Sequence, residues 1–136
     1  MSPGLDEVGS GAQALVGYEI DLTPGDGSAH IILDIEPKHL NRNQTLHGGI
    51  ISMMLDAAAG FAASRSSAKV GFTPVFTVSL TTHYLAPARS GRVVTTGKFV
   101  GGGYKILYAD AVMRDASGHA LATGCGVFKR DLKGSK

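Results

Sequence analysis

One long run of apolar residues, 48–66, constrains the fold of this 136-residue chain more than any other feature. When its Ile, Met, Leu, Ala and Phe side chains are placed at 100° per residue, they leave almost no polar face. A helix that is apolar on all sides has to be buried. The chain offers no second long helix to cover it, so we predict that a β-sheet wraps around this helix.

The rest of the chain has the pattern of short strands separated by turns. Alternating apolar residues predict strands over 16–22 and 31–35, which form a hairpin across the turn at 23–28, and residues 38–46 form a connecting loop. After the helix, strands are predicted over 76–84, 92–100, 107–113 and 121–128. Because the strands follow one another in hairpin succession, we predict an α+β fold with an antiparallel sheet.

Composition sets the remaining limits. The length fits one domain, assigned to 15–130, with a flexible tail over 1–14 and a polar tail over 131–136. The 13 Lys and Arg against 11 Asp and Glu give a net charge of +2 without a basic run, which disfavours nucleic acid as a partner.

We expect a cytoplasmic protein without a membrane partner. The first residues have no secretory signal pattern, and the apolar run is shorter than the roughly 20 residues of a membrane span. The single cysteine, Cys125, allows neither a disulfide within the chain nor a Cys-rich zinc site, and we interpret it as a small buried residue. No metal site is expected, since His and Cys are not clustered at ligand spacing.

Asp56 is the anomaly in the apolar helix, where a carboxylate is rarely placed without a partner. At 100° per residue, its stripe also holds Gly49, Ser52, Gly60 and Ala63. Small residues on one stripe let another backbone or a ligand approach closely. Asp56 is therefore either a functional acid facing a pocket or interface, or a structural one hydrogen-bonded to Ser52 or to a facing strand.

A second candidate group lies at the start of the helix, where Asn41 is followed by His47, Gly48 and Gly49. Amides in the first turn of a helix lack intrahelical partners and carry the positive end of its dipole. Two glycines would let a substrate oxygen approach those N–H groups. The alternatives are a tight turn into the helix for the glycines and a loop-capping role for His47.

Together, Asn41-x5-His47-Gly48-Gly49-x6-Asp56 resembles the signature of hotdog-fold acyl-CoA thioesterases of the phenylacetic-acid-degradation type, within the 4-hydroxybenzoyl-CoA thioesterase-like superfamily. The strand over 77–88, with its closing aromatic-x-x-Pro-Ala, and the segment 118–122 resemble later parts of the same family. The resemblance covers roughly 16–129. It implies the hotdog fold, an antiparallel sheet wrapped around one long central helix, which agrees with the periodicity.

The resemblance also implies roles for individual residues. Asp56 would be the catalytic carboxylate, acting as general base on water or as nucleophile on the thioester. The amide at Gly48 would polarise the thioester carbonyl, with Gly49 beside it in the substrate site. Asn41 would hold the attacking water or the carboxylate, and His47 would shape the loop.

Further implications concern the partners of the site. Thr77 would be supplied by the neighbouring subunit and lie close to the acid, although it could equally be a solvent-facing residue. Arg89 and Lys105 are candidates, by position only, for contacts with the phosphates of coenzyme A; the alternative for each is a solvated surface charge. The family implies a cofactor-free enzyme, with active sites at a dimer interface, that assembles as a homotetramer made of two dimers.

Two other functions remain open at this stage. A non-catalytic acyl-CoA-binding module could use the same fold, since fold alone does not establish function. An acyl thioester dehydratase or hydratase is the other alternative, but that resembles a different pattern, in which a histidine and an acid act together. Hydrolysis of a small aryl- or acyl-CoA thioester is the favoured hypothesis.

Overall fold

The computed structural model describes residues 10–67 and 72–131. Within these residues there are two α-helices, α1 (Gly11–Val16) and α2 (Gly48–Ser67), and a short 3-10 helix (Pro37–His39). The strands are β1 (Glu19–Asp21), β2 (Ala29–Asp34), β3 (Val75–Tyr84), β4 (Arg92–Gly102), β5 (Ile106–Asp115) and β6 (Ala120–Arg130). The predicted long helix and the four strands after it are confirmed, with ends shifted by a few residues.

The six strands form one antiparallel sheet in the order β1-β2-β4-β5-β6-β3. Helix α2 packs across it and contacts β2, β3, β4, β5 and β6. The predicted α+β class and the hotdog fold, a sheet wrapped around one central helix, are therefore confirmed. Strands β1 and β3 form the two edges of the sheet. Side chains of α2 form hydrogen bonds with side chains of β3.

The core lies between the inner face of the sheet and the side of α2 that carries Met54, Leu55, Ala58 and Ala59, all fully buried. At Gly97 of β4 a Cβ atom would overlap the Ala58 carbonyl, so the strand and helix backbones touch directly there. The opposite side of α2 is only half-buried in a single chain. Small residues thus set how closely the sheet wraps the helix.

The N-terminal region differs from the prediction. Residues 11–14, assigned to a tail, and Val16, assigned to a strand, belong to α1. The Ser10 side chain accepts a hydrogen bond from the Gln13 N–H at 3.0 Å, and Gly17, at a φ of 89°, ends the helix. The remainder of the tails, 1–9 and 132–136, lies outside the described residues.

Two further observations concern the surface. Cys125 is exposed on β6 rather than buried, because the residue faces outward between the inward-facing Gly124 and Gly126. Within the described residues, no helix is long and apolar enough to cross a membrane.

Candidate active site

Asp56 lies halfway along α2, half-buried, and has a partner on β3. Thr77 Oγ1 donates a hydrogen bond to Asp56 Oδ1 at 2.7 Å. Both residues belong to the same chain, whereas the sequence analysis placed Thr77 on a neighbouring subunit. Ser52, the alternative partner for a structural Asp56, bonds instead to Tyr84 and Thr82.

A β-bulge explains why Thr77 reaches the helix. The register between β3 and β6 shifts between Thr77 and Ser79. A bulge adds one residue to a strand and redirects the side chains beside it. Thr77 therefore approaches Asp56, while Val78, which simple alternation would turn inward, is 58% exposed. The alternating pattern alone could not reveal this exchange of faces.

A cavity of about 310 Å³ opens beside the Asp56–Thr77 pair. It lies between α2, the start of β3 and the end of β6. Its other lining residues are Ala57, Gly60, Phe61, Ser64, Phe72, Pro74, Val75 and Phe128. Since nearly all of these are apolar, the carboxylate is a polar group at the margin of an apolar space, as expected of a ligand pocket.

The first turn of α2 leaves one backbone amide available. His47 Nδ1 accepts the Gly49 N–H at 2.8 Å, and the His47 carbonyl accepts the N–H groups of Ile50 and Ile51 at 3.0 and 3.1 Å. The Gly48 N–H makes no hydrogen bond to any residue that the structure describes. The predicted role of Gly48 as a donor is thus geometrically open, while the amide of Gly49 is occupied.

Asn41 organises the loop before α2. Its Oδ1 accepts from the Asn43 N–H at 2.9 Å, the Thr45 N–H at 3.1 Å and Thr45 Oγ1 at 3.2 Å. This loop includes Gln44 in the left-handed region, at a φ of 59°. Because its oxygen is used inside the loop, Asn41 can serve a substrate or water only as a donor, through its amide nitrogen.

Two residues that the sequence analysis did not single out support this end of the helix. The Tyr84 hydroxyl donates to the Gly48 carbonyl at 3.0 Å and lies 2.7 Å from Ser52 Oγ. His39 is buried, accepts the Glu36 N–H at 2.9 Å and bonds the Val16 carbonyl at 2.7 Å, while its own carbonyl accepts the His47 N–H. The signal for Tyr84 was available, since it is the aromatic residue of the aromatic-x-x-Pro-Ala motif.

The acid and the free amide are too far apart to act together within one chain. Gly48 and Asp56 are separated by eight positions of the same helix, a rise of about 12 Å. Gly48 lines a separate depression with Asn41, Ile51 and Tyr84, among others. The structure therefore contains two half-sites, the acid half at Asp56 and the amide half at Gly48.

The other predicted contacts are not brought to either half-site. Arg89 and Lys105 are exposed and line neither the cavity at Asp56 nor the depression at Gly48. In the described part of the chain, no three His, Cys, Asp or Glu side chains are grouped as metal ligands would be.

The Tyr18 hydroxyl is a titratable group whose pKa is affected by Asp56. Burial raises the pKa of the Tyr18 hydroxyl above its usual value of 10.0, and the negative charge of Asp56 raises it further. Tyr18 is therefore neutral at physiological pH, and its phenol contributes no charge beside the carboxylate.

Comparison with known proteins places these observations in a family. The sequence profile of the thioesterase superfamily matches residues 43–122, which include Gly48, Asp56 and Thr77. No curated protein matches the chain in a sequence search.

Several solved structures share the fold. The conserved protein PA5202 from Pseudomonas aeruginosa is 27% identical, with a TM-score of 0.81 over 89% of this chain and 94% of its own. The thioesterase HI1161 from Haemophilus influenzae is 19% identical, with a TM-score of 0.83 over 92% and 86%. The PaaI protein of the Escherichia coli phenylacetic acid degradation operon is 19% identical, with a TM-score of 0.78 over 90% and 86%. With the profile match spanning more than half of its residues, the chain belongs to the thioesterase superfamily.

Proposed function

We propose that this protein hydrolyses an acyl-CoA thioester to the free acid and coenzyme A. The observation that carries the proposal is the position of Asp56, a carboxylate held by Thr77 at the margin of an apolar cavity. A thioester has an apolar acyl part and an electrophilic carbonyl carbon. The apolar cavity can hold the acyl part, and the carboxylate can attack the carbonyl carbon directly or through a water molecule.

Thr77 orients this carboxylate. Its hydrogen bond occupies Asp56 Oδ1, which leaves Oδ2 to accept a proton from water or to attack the carbonyl carbon. Attack moves negative charge onto the carbonyl oxygen, and a free backbone N–H is the donor that stabilises such an oxyanion. Gly48 supplies that kind of donor, and no cofactor is needed for either step. When the carbonyl re-forms, the carbon–sulfur bond breaks and coenzyme A leaves as a thiolate that takes up a proton; if Asp56 attacked directly, water then hydrolyses the anhydride and releases the free acid.

The donor in this mechanism comes from a second copy of the chain, since the Gly48 of the same chain is about 12 Å away along the helix. No strand of the described residues pairs with the outer edge of β3, and Phe76 and Val78 on β3 are each 58% exposed. Such an edge is a template for pairing with another strand. Pairing of β3 with β3 would bring the amide half of one copy towards the acid half of the other, and two such dimers would give the homotetramer.

The proposal is tested by measuring free thiol release from acetyl-, hexanoyl-, octanoyl-, phenylacetyl- and palmitoyl-CoA. Asp56→Asn keeps the size and polarity of the side chain but cannot act as a base or nucleophile. We expect it to fold and to lose at least about 100-fold in kcat, as for removal of a general base. Glu19→Gln, at an exposed carboxylate on β1, is the matched control and should retain full activity.

The outcomes separate the alternatives. Equal thiol release by wild type and Asp56→Asn would exclude the proposed role of Asp56. Binding of several acyl-CoAs without thiol release would identify a binding module, and a change at the acyl chain with the thioester intact would identify a dehydratase or hydratase.

A further inference from the structure

We propose that Gly60 keeps the acyl pocket open and sets the length of the acyl group that it accepts, an inference that rests on the proposed hydrolysis at Asp56. Gly60 follows Asp56 by one helical turn, on the side of α2 that faces the cavity. The acyl group assigned to this cavity is apolar and of medium length.

The length and lining of the cavity favour an apolar acyl group of medium length. Along α2 its lining runs from Asp56 to Ser64, two helical turns or about 12 Å. Its walls contain Phe61, Phe72 and Phe128, three of the five phenylalanines in the chain. An acetyl group would leave most of this apolar length unfilled, whereas a medium-length alkyl or aryl-terminated acyl group would bury its surface along it.

Two aromatic rings in the lining of the cavity pack against each other. Phe61 and Phe72 pack edge to face, with ring centroids 6.5 Å apart and an interplanar angle of 79°. Phe61 directly follows Gly60 along α2, on the side away from Asp56 in the chain, and Phe72 packs against it. We therefore place the end of the acyl chain at this pair of rings.

The packing of the helix does not require glycine at position 60. A Cβ atom there would meet only Phe128, 3.4 Å from Cε1 and 4.0 Å from Cζ, which is ordinary van der Waals contact. Gly97, by contrast, could not carry a Cβ without overlapping the helix backbone. Glycine inside a helix is less stable than alanine. Gly60 thus lowers the stability of the helix although the packing around it would allow alanine. The absence of a side chain at this position leaves space in the cavity.

The wall opposite Gly60 is fixed. The Phe128 ring is 1% exposed and lies against Gly126, where a Cβ would come within 2.5 Å of Cε2. Because the ring is buried and lies close to the β6 backbone at Gly126, moving it away from position 60 would disturb the core, and we infer that it stays in place when a side chain is added there. Any side chain there is therefore accommodated inside the cavity.

The test compares Gly60→Ala and Gly60→Leu with wild type on the same acyl-CoA panel. We expect Gly60→Ala to raise Tm by about 3 °C, because alanine favours the helix. Gly60→Leu should lower kcat/KM for octanoyl- and phenylacetyl-CoA by at least about tenfold relative to acetyl-CoA, with Gly60→Ala intermediate. Gly11→Ala, in α1 with open space around its Cβ position, is the matched helix control and should leave the acyl profile unchanged.

A second variant acts in the opposite direction. Phe61→Ala removes part of the distal wall and should raise activity on palmitoyl-CoA relative to octanoyl-CoA. Phe99→Ala, at a partly exposed ring on β4 outside this cavity, is its control.

The failure of this inference differs from the failure of the proposed function. Active variants with an unchanged acyl profile would overturn the role of Gly60 while leaving hydrolysis intact. If wild type hydrolyses nothing in the panel, the proposed function fails. Calorimetric titration of octanoyl-CoA into Asp56→Asn, with and without Gly60→Leu, then decides the inference, which is wrong if both proteins bind equally tightly.

Discussion

At the scale of single residues, His47 determines which amide of α2 is available. Its ring accepts the Gly49 N–H and its carbonyl accepts those of Ile50 and Ile51, so that, of the first-turn amides, Gly48 alone has no partner among the residues that the structure describes. The family resemblance indicated the amide at Gly48, but the sequence could not show that the Gly49 amide is occupied, because that depends on the orientation of one imidazole ring. Asp56 was easier to find, since a carboxylate in an apolar helix stands out from its pattern.

A second residue, Thr95, is buried without an obvious function. Its hydroxyl is fully buried on the inner face of β4 and has no hydrogen-bond partner among the described residues. A buried polar group without a partner loses its hydrogen bonds to water on folding and forms none within the protein, which destabilises the folded state.

We therefore predict that Thr95→Val stabilises the protein, since it replaces the hydroxyl with a methyl group of similar size. The free energy of unfolding should rise by about 1 kcal/mol. Urea unfolding measures this as a higher midpoint at an unchanged slope. Thr96→Val, on the opposite face of β4, is the control and should change stability by less than about 0.5 kcal/mol. A clear loss of stability in Thr95→Val would show that the hydroxyl is satisfied in solution.

At the scale of elements, the contact between α2 and β4 fixes the distance from helix to sheet. The inward positions of β4 include Thr95 and Gly97, small or polar residues that resemble an outward face. For this reason the alternating pattern does not identify which face of that strand is the inner one. Helix α1 was missed for a related reason: six residues give no periodic signal, and its ends depend on the Ser10 cap and on Gly17.

Gly97→Ala should be strongly destabilising, because its Cβ would overlap the Ala58 carbonyl and backbone atoms cannot move aside cheaply. We expect a loss of about 3 kcal/mol in the free energy of unfolding, measured by urea or thermal denaturation. Gly101→Ala in the same strand, where the added Cβ meets nothing within 4 Å, provides the comparison. Equal stability of the two variants would mean that α2 is not held against β4 at this point.

At the scale of the whole molecule, the two half-sites explain what the sequence could and could not predict. The fold followed from one apolar helix and the strand pattern around it, and the resemblance indicated both Gly48 and Asp56. The sequence did not assign Thr77 to the chain that carries Asp56, because that contact depends on a bulge in β3. Nor did it give the lining of the cavity, which combines residues from α2, β3 and β6.

If each active site combines Asp56 of one chain with Gly48 of another, two inactive variants should complement each other. Gly48→Pro removes the N–H at the first position of α2, where proline is well tolerated. Mixing it with Asp56→Asn by unfolding and refolding together should restore about a quarter of wild-type activity, because half of the randomly formed dimers contain one intact site.

Gly48→Ala retains the N–H and serves as the control, with activity expected before any mixing. Thiol release before and after mixing is the measurement. Mixtures of Gly48→Pro and Asp56→Asn that stay inactive, while each variant still forms dimers, would place the whole site within one chain.

Gly60 has a consequence for protein engineering. Alanine at this position would strengthen α2 and would meet only ordinary contact with Phe128. Methods that rank substitutions by folding stability would therefore select it early, as one of the usual glycine-to-alanine improvements. Here one substitution would both stabilise the helix and narrow the cavity. A more heat-stable variant of this protein would therefore accept only shorter acyl groups.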